Sequence, residues 1–103
     1  MPTEVENPLH RLTPDQIEAI GGQELEGAGA TDVQVRPRVT IAGAESAHFS
    51  AQFERSGIVY LIEQYYATNA GQTYVITFSF GEAVAVGDRE TVAESVLATW
   101  TWS

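Results

Sequence analysis

The chain contains no cysteine and no lysine. Without cysteine there is no disulfide, no thiolate metal site, no cysteine nucleophile and no lipid-anchored cysteine. Without lysine, all positive charge rests on five Arg, set against fourteen Asp and Glu for a net charge of −9. Such a chain has nothing with which to replace the counterions on a phosphate backbone, so nucleic acid and membrane insertion are not expected. No apolar run is long enough to span a bilayer. Met1-Pro2-Thr3-Glu4-Val5-Glu6 is acidic and polar, unlike a signal peptide. As written the chain reads as cytoplasmic, or as exported if a leader was removed. No Gly-x-Ser-x-Gly elbow, phosphate-binding glycine loop or Asp-x-Asp-x-Asp-Gly calcium loop occurs.

What remains is 103 residues with a normal apolar fraction of 44%, enough for one domain. Residues 1–12 hold two prolines and little periodicity and are expected to form a flexible arm, with residues 13–103 as a single domain. Thr13-Pro14-Asp15-Gln16 is a capping box with proline at the first helical position. Ile17, Ile20, Leu25 and Ala28 then recur at helical spacing, which predicts a helix over 14–27. The pair Gly21-Gly22 interrupts it and is read as a close approach to a sheet, with a helix break as the alternative.

From Thr31 the period changes to two. Val33, Val35, Val39 and Ile41 are expected on one face, with Pro37 marking an edge strand or a bulge. Ala47, Phe49, Ala51 and Phe53 alternate with polar residues in a second strand. Ile58 to Thr68 is apolar on both sides at its start and forms a third. Tyr74, Ile76, Phe78 and Phe80 alternate in a fourth, after the loop Asn69-Ala70-Gly71. Asp88 is expected to cap a last helix whose stripe is Val92, Ala93, Val96, Leu97 and Trp100, with Trp102 and Ser103 fraying or folding back.

The expected fold is therefore α+β: a two-layer sandwich of a four-stranded antiparallel meander with both helices on one face. The opposite face, richer in Thr, Ser, Gln, Arg and His, would be partly solvated. Val59, Leu61 and Tyr65 would form an apolar strip on it.

Val59 to Phe80, "VYLIEQYYATNAGQTYVITFSF", and the closing "RETVAESVLATWTW" resemble the Mog1/PsbP-like superfamily, in particular its bacterial LpqN-type branch. The matching positions are Gly71, Tyr74, Ile76, Thr77 and Phe78 of a strand motif, then Leu97, Thr99 and Trp100 of a terminal helix motif. The resemblance covers about residues 14–102. It implies a non-enzymatic domain that binds proteins or assists assembly, and it supplies no catalytic residue.

Three functions follow as expectations. The first is a non-catalytic protein-binding domain using the exposed sheet face or edge, with Arg36, Arg38, His48, Val59, Leu61 and Tyr65 as candidate contacts. The second is a small-molecule-binding or isomerase-like cup in which Glu63, with Tyr65 or Tyr74, acts as acid or base. The third is a homodimeric structural domain. Glu63 interrupts an apolar run, so it is either solvated or buried and paired, with Arg36, Arg38 or Arg55 as its partner. His48 is read as a surface histidine rather than a general base. The two His show no metal spacing, and a carboxylate site for a hard cation from Glu54, Glu63 and another acid is the lesser alternative. No cofactor and no metal is expected; the partner is another protein or a second copy.

Overall fold

A computed structural model of the chain describes residues 3–10, 13–69 and 72–100. The elements, in order, are β1 (Thr3–His10), α1 (Pro14–Gly27), β2 (Thr31–Ile41), β3 (Ala44–Arg55), β4 (Ile58–Asn69), β5 (Gln72–Gly81) and α2 (Val86–Leu97). The expected α+β fold is present, with a meander of β2 to β5 and a helix at each end. The sheet has a fifth strand: its order is β1-β5-β4-β3-β2, antiparallel throughout. Residues 3–10, expected in an arm, pair along β5 with a register shift between Glu6 and Leu9. Pro8 lies in that shift, on an edge strand, where a missing N–H costs little. Ala70, Gly71, Trp102 and Ser103 lie outside the described residues.

The start of α1 follows from its first four residues. The Thr13 hydroxyl accepts from the Gln16 N–H at 3.2 Å, and the Gln16 side chain accepts from the Thr13 N–H at 2.9 Å. Two orphan donors are satisfied reciprocally. The expected Asp88 cap does not form: α2 begins at Val86 behind Ala85, with no side-chain cap, and Asp88 falls within the first turn. The hairpins β2–β3 and β3–β4 turn on Ala42-Gly43 and Ser56-Gly57, where all four residues have positive φ. Two consecutive positive φ values are what a two-residue hairpin between right-twisted strands requires.

The layers differ from expectation. Register puts Ala47, Phe49 and Ala51 of β3 on the same side as Ile62 and Tyr66 of β4 and Val75 of β5. With Ile17 and Leu25 of α1 these form one core cluster. The other side carries Tyr65, Ala67, Ile76, Phe78 and Phe80, which cluster with Ala93 and Leu97 of α2. The helices therefore pack on opposite faces, in three layers rather than two. The reason is that each face bears its own apolar set, and each set needs a cover. Alternation within a strand gives two faces but not which one a neighbouring strand shares. Pro37 adds to this. A register shift between Arg36 and Val39 inserts one residue, so Val35 lies opposite Phe49 while Val39 lies opposite Ser46, on the other side. The four β2 residues expected on one face are split between two.

The Gly21-Gly22 pair serves close packing. A Cβ on Gly21 would stand 2.7 Å from Phe49 Cζ, so the helix sits on that ring only because the position is bare.

Candidate functional site

The face under α2 holds a closed group of charged side chains. Glu63 projects from the middle of β4 and is 0% exposed; His48, from the facing strand, is 1% exposed. His48 Nε2 lies 2.7 Å from Glu63 Oε1, and Arg89 Nε donates to Glu63 Oε2 at 3.0 Å. Arg89 also donates from Nη1 to the Val84 carbonyl at 2.6 Å, tying down the segment before α2. One residue on, Glu90 accepts from Arg36 of β2, Nε at 3.3 Å and Nη2 at 3.1 and 3.2 Å. His48 Nδ1 stands 4.0 Å from Glu90 Oε2, between the two ion pairs. The His48 ring stacks on Tyr65, its cross-strand neighbour, with centroids 4.1 Å apart, and Tyr65 meets Phe78 edge-on.

These contacts explain how α2 is held. It buries only Arg89, Ala93 and Leu97, one residue per turn, and has no side-chain cap. Arg89 and Glu90, at its N-terminal end, reach down to β4 and β2 and fix the helix in position. A buried ion pair is a weak source of net stability but a strong penalty on arrangements that break it. The group thus specifies where α2 docks.

His48, Glu63 and Glu90 each offer a ligand atom within 4.8 Å of the others, a spacing that a metal ion could use. Both carboxylates are already neutralised by guanidinium groups, Arg89 on Glu63 and Arg36 on Glu90. A cation there would stand against two like charges, so the donor set is poorly matched to one. The Tyr65 hydroxyl is fully buried and has no hydrogen-bond partner among the described residues. Burial first, and then the negative charges of Glu94, Glu63 and Glu90, push its pKa well above the ordinary tyrosine value.

Several candidate residues thus lie elsewhere than expected. His48 is in the interior, not on a solvated strand face, and Tyr65 is enclosed under α2. Both had been placed on a surface that α2 in fact covers. Glu63 is buried and paired, but with Arg89, not Arg36, Arg38 or Arg55. Arg36 and Arg38 are not neighbours in function: the shift at Pro37 sends Arg36 to α2 and Arg38 to α1. Arg38 gathers Asp15 at 2.5 Å, Glu18 at 2.6 Å and Glu45 at 2.7 Å. Its hydrogen bonds hold the Glu18 carboxyl below its ordinary pKa. Val59 and Leu61 are half-buried on the α2 side, and Tyr74 is half-buried on the same side, away from Glu63 in register. Arg89 was not singled out from the sequence. The available signal was its place one turn before Ala93 and two before Leu97, in line with the buried stripe, together with a Glu that needed a partner.

The other face has a different character. Gly22 of α1 lies over Val33 of β2, and Gly21 over Phe49 of β3, so α1 covers the β2–β3 half of the sheet. The β4–β5 half beside it presents Gln64, Thr77 and Ser79, all half-buried, and Tyr60, 37% exposed. Its floor is ordered by a short chain of hydrogen bonds. Thr77 donates to the Gln64 carbonyl oxygen at 3.1 Å, and the Gln64 amide donates to the Tyr66 hydroxyl at 2.7 Å. The wall is the side of α1 turned away from β2, where Ile20 is 41% exposed and Glu24 is exposed.

No protein-family model, no curated protein and no solved structure matches this chain.

Proposed function

We propose that the chain is a non-catalytic domain that binds another protein through the partly exposed strip of β4 and β5 beside α1. The observation that carries this reading is the partly exposed strip of polar residues on β4 and β5 beside α1. Tyr60 is exposed at one end, and Gln64, Thr77 and Ser79 offer hydrogen-bonding groups along rigid strands. Aromatic and amide side chains held on a sheet supply contact area and specificity at small entropic cost. The resemblance to the Mog1/PsbP-like superfamily, which implies a binding or assembly domain, agrees with it.

The charged group under α2 supports a non-catalytic role. A general base needs a free lone pair within reach of a substrate proton. Both Glu63 oxygens are engaged and the residue has no exposure, so a substrate would first have to displace His48 or Arg89.

The test is site-specific photocrosslinking in cells of the native host. A crosslinker at position 79 should capture one discrete protein, and the same group at position 94, exposed on α2 on the other face of the sheet, should not. Thr77→Arg, which puts a long charged side chain on this strip, should abolish the product at 79. Equal capture from both positions, or capture unaffected by Thr77→Arg, contradicts the reading. A crosslinked dimer of the chain would turn it toward self-association.

A further inference from the structure

The two edges of the sheet are held differently. β2, at one edge, is tied to both helices, through Arg36 to Glu90 of α2 and through Arg38 to Asp15 and Glu18 of α1. β1, at the other edge, has the ladder to β5 as its main attachment among the described residues, because α1 packs chiefly on β2 and β3 and α2 chiefly on β4. That ladder is itself interrupted. Its register shifts between Glu6 and Leu9, where Pro8 has no N–H to give. A strand held by one interrupted ladder opens at lower cost than strands flanked on both sides.

The strand that β1 covers is a strong template. Thr73, Tyr74, Val75, Ile76, Thr77 and Phe78 of β5 are all strand formers, and such a strand with unpaired backbone groups recruits another. The strand that complements it in register is β1, at Thr3 with Phe78, Val5 with Ile76 and Leu9 with Thr73. The β1 of a second copy makes the same pairs, because the two sequences are identical. Only Arg11 and Leu12 stand between β1 and the Thr13 cap of α1. The step from His10 to Thr13 reaches at most about 11 Å. Over that length the chain passes from β1 toward a helix that lies over β2 and β3, beyond β5 and β4, in a sheet whose strands are about 4.8 Å apart. The closed connection has little slack, and short, taut hinges favour exchange of the element they carry.

We propose that the chain forms a strand-exchanged dimer, in which β1 of each copy pairs with β5 of the other. Every β1–β5 pair of the single chain is kept, and only the connection between β1 and α1 is redirected. Relief of the short connection favours the dimer. The lost freedom of association opposes it, so the dimer grows with concentration. The exchange does not rest on the binding role of the β4–β5 strip.

The absence of cysteine permits a direct test by disulfide trapping. One preparation carries Glu4→Cys and a second carries Thr77→Cys, positions that face each other across β1 and β5. Neither chain can close a disulfide within itself. Unfolded together at high concentration, refolded and oxidised, the mixture should give a heterodimer linked from position 4 to position 77, identified by peptide mass. Its yield should exceed that of a control mixture of Glu4→Cys with Glu94→Cys, exposed on α2. A Gly-Ser-Gly insertion between Arg11 and Leu12 gives the closed form slack and should lower the heterodimer yield severalfold. The chain with both Glu4→Cys and Thr77→Cys, oxidised at low concentration, should close the bond within one chain. A heterodimer no more abundant than the control, or unaffected by the insertion, overturns the exchange and leaves β1 on its own β5. Failure of the double variant to close removes the β1–β5 register and the exchange with it.

Discussion

Glu63 and Tyr65 stand two residues apart on the same face and are buried on opposite terms. Glu63 has partners for both oxygens; the Tyr65 hydroxyl has none among the described residues. The two should respond differently to substitution. Tyr65→Phe removes a buried group that gains nothing from its position, so it should leave stability unchanged or raise it by up to ~1 kcal/mol, read from the urea midpoint. Because burial raises the Tyr65 pKa, the wild-type protein is stable below the ordinary tyrosine pKa and loses stability as pH rises beyond it; Tyr65→Phe should reduce that alkaline loss. Glu63→Gln leaves the Arg89 guanidinium without its counter-charge in the interior and should cost ~3–5 kcal/mol. The double substitution Glu63→Leu with Arg89→Met should recover most of it in a double-mutant cycle, because both desolvated charges are gone. Additive single costs would mean that the two residues are not coupled.

At the scale of elements, α1 and α2 are secured in different ways. A capping box starts α1, and a bare Gly21 seats it on Phe49. Gly21→Ala therefore should destabilise by ~1–3 kcal/mol through overpacking, although alanine is the better helix former. Gly22→Ala meets only Val33 Cγ1 at 3.8 Å and should be neutral or stabilising by up to ~1 kcal/mol. Opposite signs at adjacent glycines, measured by thermal unfolding, check the packing. The Glu18–Arg38 contact depresses the Glu18 pKa below its ordinary 4.5, so its contribution is full above that value and is lost as pH falls through the folded-state pKa. Glu18→Gln should flatten this part of the acid side of the stability profile.

The elements also show what was legible in the sequence. α1 could be read because its signals are local: Thr13, Pro14 and Gln16 act within one turn. The two-residue hairpins were marked by Gly43 and Gly57. Pro37 announced an edge or a bulge, and it brings both. The layer to which each strand face belongs could not be read. That depends on register between strands, and one inserted residue near Pro37 reverses the assignment of everything after it on β2. β1 was missed because Pro2 and Pro8 in a polar segment mimic a loop. The Glu63–Arg89 pair joins residues 26 positions apart and needs the three-layer arrangement before it exists.

For the molecule as a whole, the three layers separate two kinds of surface. Under α2 lies a saturated polar interior that fixes a helix. Beside α1 lies a partly exposed strip of polar strand residues, Gln64, Thr77 and Ser79, with Tyr60. On the proposed function the first is structural and the second is the surface that meets a partner. Crosslinking from position 79 in two backgrounds divides them. In Glu63→Leu/Arg89→Met the yield of the captured partner should stay close to wild type; in Thr77→Arg it should vanish. Loss of the product in Glu63→Leu/Arg89→Met, with the fold intact by circular dichroism and capture retained in Thr77→Arg, would contradict the account.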